Sequence, residues 1–330
     1  MKRKTLVIFS LLCILLVFSF VLANFAGRSG ISLNKTIYYL LHPFSSGMER
    51  DIIWQIRFPR VVLGVLVGAA LASCGVVFQG LLRNPLAESY TLGTSGGAAF
   101  GASLAVVLKL SGTYMPVFAF AGSLMSIFLV YGIASRKQFS NSTLILGGVV
   151  LSYLFSSLVL LIFSLSKAEE VHGVILWLMG DLSSAAISVI KVAPFFIIPS
   201  IIVFFIFSRD LNILTLGEDK AAHLGVNNEK VRKILFVASS CMAGACVAAA
   251  GVIGFVGLIV PHFVRRIVGV DHRLVLPASC LVGAIFLILC DVVARNIIYP
   301  LELPVGVITG IFGGIFFLSF LWKTGRWRIF

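Results

Sequence analysis

The 330 residues are 59% hydrophobic and only 12% charged, with 26 Lys and Arg against 13 Asp and Glu, about half the charged fraction of a soluble domain. This composition excludes a soluble globular fold, and apolar runs long enough to cross roughly 30 Å of hydrocarbon make the spans α-helices rather than barrel strands. The net charge of +13 does not mark a nucleic-acid partner, because the basic residues cluster in short connections between apolar runs, as in cytoplasmic loops of membrane proteins.

In chain order, a basic tip (Lys2, Arg3, Lys4) precedes an apolar run at 5–23. A signal-peptide core has about 7–15 apolar residues, so this longer run is read as a retained first span. A polar external segment at 24–60 follows, ending in WQIRFPR. Apolar runs at 61–82, 90–108, 116–134, 143–165 and 187–207 bring the spans to six. Next comes a polar island, 209–233, which holds nine charged residues and is the most hydrophilic stretch of the chain. Beyond it lie runs at 234–264, 274–294 and 305–322.

The 31 residues of 234–264 would make one helix about 46 Å long, too long for a single crossing. Breaking the run within GVIGFVG (251–257) gives ten spans and puts both termini on one side. The inside then receives the N-terminal tip, Arg83, Arg136, Lys137, the island, Arg265, Arg266, Arg273 and the tail from Lys323 to Arg328. That places 17 Lys and Arg inside against 9 outside. A single crossing would move the 265–273 charges and the tail outside, against the positive-inside rule. The fold expected is thus an all-α polytopic membrane protein of about ten transmembrane helices, a single domain over 1–330, with both termini cytoplasmic.

Residues 68–85 align without gaps to 244–261 at seven of 18 positions, and the two stretches run in opposite directions in the ten-span scheme. This points to an inverted repeat, a common transporter architecture. Glycines also recur at four-residue spacing: Gly64 and Gly68, Gly93 and Gly97, Gly306 and Gly310. Each pair shares a helix face, which suits close helix packing or the lining of a pathway or subunit interface.

Ion-coupled carriers usually hold ionisable groups deep in their spans, and here the deep positions are nearly empty of charge. Asp291 and Arg295 sit four apart near an outer helix end, spaced to pair with each other. The six cysteines lie in apolar runs with no CxxC pair, and His172 and His262 lack a second ligand at suitable spacing, so no metal site is expected. No GxxxxGK[ST] phosphate loop occurs, so ATP would be bound elsewhere. The island is the natural dock for such a partner, although it also reads as a plain solvated hairpin. Within it, TLGEDKAAHL (215–224) suits a short helix with Thr215 as cap, Glu218 at capping-box spacing and Gly225 at the end.

The segments QIRFPRV (55–61), GAALA (68–72), QGLLRNPLA (79–87), LGTSGGA (92–98), WLMG (177–180), GVIGFVGLIVPH (251–262) and ELPVGVITG (302–310) resemble the permease subunits of the iron-chelate and vitamin B12 ABC importers. The resemblance covers nearly the whole chain. It implies a type II importer fold of the vitamin B12 permease kind, and a non-catalytic subunit in a bacterial cell membrane. Its partners would be a second permease, identical or paralogous, two cytoplasmic ATPases that carry ATP and Mg, and an extracytoplasmic binding protein. The cargo would be an iron chelate, most simply a ferric siderophore. The alternatives are cobalamin or haem import by the same architecture, or an autonomous carrier or channel, which the uncharged spans disfavour. No cofactor is expected in this chain.

By the same resemblance, the loop around 209–233 would carry the ATPase-coupling helices, with Leu214, Glu218, Asp219, Ala221, Ala222, Leu224 and Gly225 at the matching positions. Arg57, Arg60 and Arg295 match arginines that receive acidic residues of the binding protein; interfacial or lipid-phosphate anchoring is the competing reading of Arg57 and Arg60. The segment 167–185 would hold a short gate helix at the outer mouth, or an interfacial helix carrying Trp177.

Overall fold

The computed structural model describes residues 3–27, 30–110, 114–135, 140–183, 187–298 and 301–323. Arg136, Lys137, the basic tail beyond Lys323, Lys2 at the tip, and the end of the proposed gate segment at 184–185 therefore lie outside the described residues. Among the described residues every regular element is helical. That follows from the solvent, since each segment must satisfy its own backbone donors and acceptors in hydrocarbon.

Helix α1 (Arg3–Phe25) is the first crossing. The segment after α1 holds α2 (Leu33–Leu41), capped by Ser32, whose side chain accepts the Lys35 N–H, and α3 (Met48–Asp51). A π-helical turn, Ile52–Arg57, leads directly into α4 (Phe58–Leu82). Helices α5 (Thr94–Val107), α6 (Tyr114–Ser135) and α7 (Asn141–Leu165) follow, then short α8 (Ala168–Leu178) and α9 (Ile187–Ile206). The polar island contains α10 (Ser208–Leu214) and α11 (Glu218–His223). The last four helices are α12 (Asn228–Ala250), α13 (Val256–Val268), α14 (His272–Asn296) and α15 (Val305–Lys323).

All ten expected spans are present as helices, and the long run at 234–264 is broken at 251–255, between α12 and α13. Seven helices are long and apolar enough to cross on their own. Helices α5 and α13, with 14 and 13 residues, reach only about 20 Å. The reason is visible in their entry points. Beyond Leu82 the chain turns back into the protein until Ser89 donates to the Leu71 carbonyl, 3.2 Å away and halfway up α4, and α5 starts from there. On the other side, Cys74 donates to Ser239 of α12 while neighbouring Gly75 abuts Gly257 at the start of α13. Helix α13 therefore begins level with the middle of α12, and 251–255 is the non-helical return that brings the chain back to that depth.

Non-helical backbone at such depth is tolerated only where protein groups satisfy it, and here they do. The Ile253 N–H donates to the Tyr90 hydroxyl (3.3 Å) and the Phe255 N–H to the Glu88 carboxylate (3.2 Å). The Ala250 carbonyl accepts from Asp181 N–H, and the Gly180 carbonyl from Gly306 N–H. The two halves thus share a helix, break, half-helix pattern: α4, 83–93, α5 and α12, 251–255, α13. The seven-in-18 register differs from this pattern. It sets Gly75, inside α4, against Gly251, which lies in the break.

The glycine expectation divides. Gly68 meets the Gly283 backbone where α4 crosses α14, Gly97 meets Gly122 of α6, and Gly306 meets Met179, so that a Cβ at any of the three would collide with a carbonyl. Gly93 adopts φ +78° at the start of α5, a left-handed conformation suited to glycine. Gly64 has ordinary room beside Leu182 and Ile288, and Gly310 faces open space.

Candidate functional site

The polar island is a small platform. Helix α11 starts two residues later than its capping-box spacing suggests, with Gly217 at φ +122° before Glu218. Thr215 instead closes α10, and its hydroxyl donates to the Asn212 carbonyl. The shift leaves Glu218 and Asp219 in the first turn of α11, where the helix dipole favours acids. The other end follows the sequence expectation: Gly225 takes φ +82°, its N–H reaches the Ala222 carbonyl, and the Val226 N–H reaches the Ala221 carbonyl. These two bonds make a Schellman C-cap.

The seven predicted coupling residues fall on both sides of the platform. Leu214 and Ala221 point inward, at 2% and 0% exposure, while Asp219, Ala222, Leu224 and Gly225 are exposed. Glu218 is half-exposed and ion-paired to Arg232 of α12 at 2.8 Å. Leu216 and Leu224 are exposed as well, so the platform presents two leucines and an acid outward.

Side chains from several helices hold the platform from below. The Arg83 guanidinium donates to the Leu214 carbonyl at 3.1 Å. Asn212 donates to Asp271 at 2.7 Å and accepts from the His272 N–H at 2.9 Å. Asp271 also caps α14. Partial burial alone would raise the Asp271 pKa, but the Arg273 N–H and the Asn212 amide hold it below its ordinary value. Asn228 donates to the Glu218 carbonyl at 2.8 Å. Arg232, 8% exposed, further donates to Asn141 of α7 at 2.9 Å.

At the opposite end, the three arginines expected to meet a binding protein do converge, but they turn inward; each is 5% exposed. Arg60 contacts Asp291 at 2.9 Å and Glu302 at 2.6 Å. Arg295 takes the other Asp291 oxygen at 3.1 Å and donates to the Ala23 carbonyl. Arg57 donates to the Asn24 and Phe25 carbonyls, at 2.6 and 3.2 Å. The cluster ties the end of α1 to the start of α4 and the end of α14. Asp291 pairs with Arg295 as its four-residue spacing predicts, and Arg60 shares it.

Sequence reading missed several buried polar groups. Glu88 sits at the break, not in a solvated loop, because the chain re-enters after Leu82. Gln79 donates to the Gly257 carbonyl and accepts from Arg265, linking α4 to both ends of α13. The proline and glycine signals around Asn84-Pro85 and Gly93 mark a turn, but they do not show that the turn folds inward.

Residues 15–323 match the FecCD transport family. The chain is 38% identical over 330 residues to the Fe(3+)-citrate import system permease protein YfmD of Bacillus subtilis (strain 168), spanning 98% of each. It is 38% identical over 281 residues to the hemin transport system permease protein HmuU of Yersinia pestis, spanning 81% of this chain and 83% of that one. The fold superposes with a TM-score of 0.87, at 32% identity and over 96% of this chain and 99% of the other, on a solved structure described as an inward-facing conformation of a metal-chelate type ABC transporter. Ten apolar helices among the described residues, two of them short and starting at mid-depth, a supported pair of short helices in the polar loop, and these likenesses together establish that the chain belongs to the FecCD transport family, as a permease subunit of an ABC importer.

Proposed function

We propose that this permease carries an iron chelate across a bacterial cell membrane, with energy supplied by ATPase subunits docked on α10 and α11. The observation that carries the docking reading is the platform itself: two short helices anchored from below to α4, α12 and α14, with Leu216, Leu224 and Asp219 turned outward. A plain solvated hairpin needs neither the buried anchors nor the exposed apolar pair. Ferric citrate and hemin, in the names of the two relatives above, share iron held in an organic chelate, which supports that cargo class; ATP and Mg would reside on the ATPase.

In this reading both termini face the cytoplasm and two permease chains, identical or paralogous, enclose the pathway. A binding protein delivers the chelate from outside. Its acidic side chains would compete with Glu302, whose side chain is 52% exposed, for Arg60, while Arg57 and Arg295 supply positive charge beneath. Charge of this kind governs encounter and register more than affinity.

The test is co-purification. The chain co-expressed with its ATPase should yield a stable complex, and Leu216→Asp with Leu224→Asp should abolish it while the permease still folds. Retention of the ATPase by the double variant would remove α10 and α11 from the interface.

A further inference from the structure

Arg232 touches both the platform and α7. One arm of its guanidinium pairs with Glu218 at the start of α11, at 2.8 Å. Another arm donates to the Asn141 side-chain oxygen at 2.9 Å. Asn141 opens α7, and its amide in turn donates to the Leu82 carbonyl at the end of α4, 3.1 Å away. The chain of contacts therefore runs from α11 through α12 to α7 and α4, within two charge-assisted bonds and one neutral one.

Two properties suit this chain to transmit displacement. Arg232 is 8% exposed, so its bond to Asn141 is little screened by water or salt, although Glu218 at the other arm is half in water, and a guanidinium fork holds two acceptors in fixed relative positions. Helix α7, by contrast, packs chiefly on α5 and α6 and leaves Leu146, Val149, Val150, Tyr153 and Leu154 exposed. A helix held on one side and led from its end by a buried polar link can shift as a unit.

We infer that Arg232 and Asn141 are positioning residues of the transport cycle, carrying movement of α11 into α7. The inference rests on the proposed docking of an ATPase at α10 and α11, and extends it by naming the helix that responds. Neither residue lies on the docking surface.

The test uses the permease–ATPase complex in lipid nanodiscs, with a nitroxide on Ser142→Cys, an exposed position beside Asn141, in a background where exposed Cys13 is Ser. ATP with vanadate should change the label's spectrum in the otherwise unaltered chain. In Asn141→Ala that change should fall about tenfold, the factor that one charge-assisted hydrogen bond is worth. ATPase retention and ATP hydrolysis should stay within about twofold of the parent, since the docking surface is untouched. Asn141→Asp keeps the oxygen for Arg232 but loses the amide donor to the Leu82 carbonyl, so it should restore the response at the start of α7 only as far as the Arg232 bond carries it, above the level of Asn141→Ala. Arg232→Lys, a single point donor in place of the fork, should lose it as Asn141→Ala does. An undiminished response in Asn141→Ala and Arg232→Lys, or hydrolysis with no response in the parent, overturns the inference. Failure of the parent chain to retain the ATPase at all is read before labelling, and overturns the docking proposal and this inference together.

Discussion

The polar platform and the arginine cluster at the opposite end of the helices are both built on arginines, yet they use them in opposite ways. At the platform, Arg83 and Arg232 lie beneath short helices and bind backbone and side-chain oxygens, which leaves leucines and an acid facing outward. At the opposite end, Arg57, Arg60 and Arg295 are enclosed, and three helix ends converge on them. The difference teaches that basic residues at a membrane boundary are not equivalent surface charges. Some support short helices from beneath, and others join helix ends through shared carboxylate and carbonyl partners.

The largest effect should come from opening the arginine joint. Asp291→Ala leaves Arg60 and Arg295 buried with their main acid gone, and should cost about 3–5 kcal/mol, the usual penalty for breaking a buried pair. Thermal unfolding in detergent would show it as a large fall in midpoint, and an unchanged midpoint would mean that the arginines are freely hydrated after all. Next in size is Gly225→Ala on the platform. It places a Cβ at φ +82° and should cost about 1–2 kcal/mol, read as local loosening of α11 by amide hydrogen exchange.

Glu302→Ala should be milder still. Its side chain is half in water, and an exposed pair is worth about 0–1 kcal/mol, so unfolding should barely move while binding-protein affinity changes. A destabilisation as large as that of Asp291→Ala would merge Glu302 into the structural joint. The smallest effect belongs to Asp271. A carboxylate whose folded pKa is depressed stabilises the fold above its unfolded pKa, and that contribution fades as pH falls through the folded value. Protection from hydrogen exchange at the α10–α14 contact, corrected for the intrinsic rate at each pH, should therefore be flat near neutrality and fall only in acid, as pH drops through the depressed Asp271 value. Asp271→Asn should remove the acid-side fall.

Much of the fold was legible because hydropathy reports what the bilayer demands. Run lengths located ten helices, and the excess length of 234–264 together with Gly251, Gly254 and Gly257 located the break. The mid-depth start of α5 was not legible. An apolar stretch such as 90–108 reads the same whether its first residues are helical or extended, and what permits the extended form, Leu71 and Ser89 in one case and Tyr90 with Ile253 in another, depends on partners distant in sequence. The arginines illustrate the same limit. Their grouping at one face followed from the spans, but their burial depends on Asp291 and Glu302, 231 and 242 residues away from Arg60. At the platform, the Schellman end at Gly225 was readable because it is local. The role of Arg232 was not, since a charged residue in a polar loop looks solvated until Asn141 is placed beside it.

A permease driven by ATPases at α10 and α11, as proposed, is tested by uptake of ferric citrate into proteoliposomes holding the chain with its ATPase and binding protein, with and without ATP. Uptake should occur only when all components and ATP are present, and should be lost when Leu216 and Leu224 are both replaced by Asp. Uptake by the chain alone without ATP would overturn the proposal.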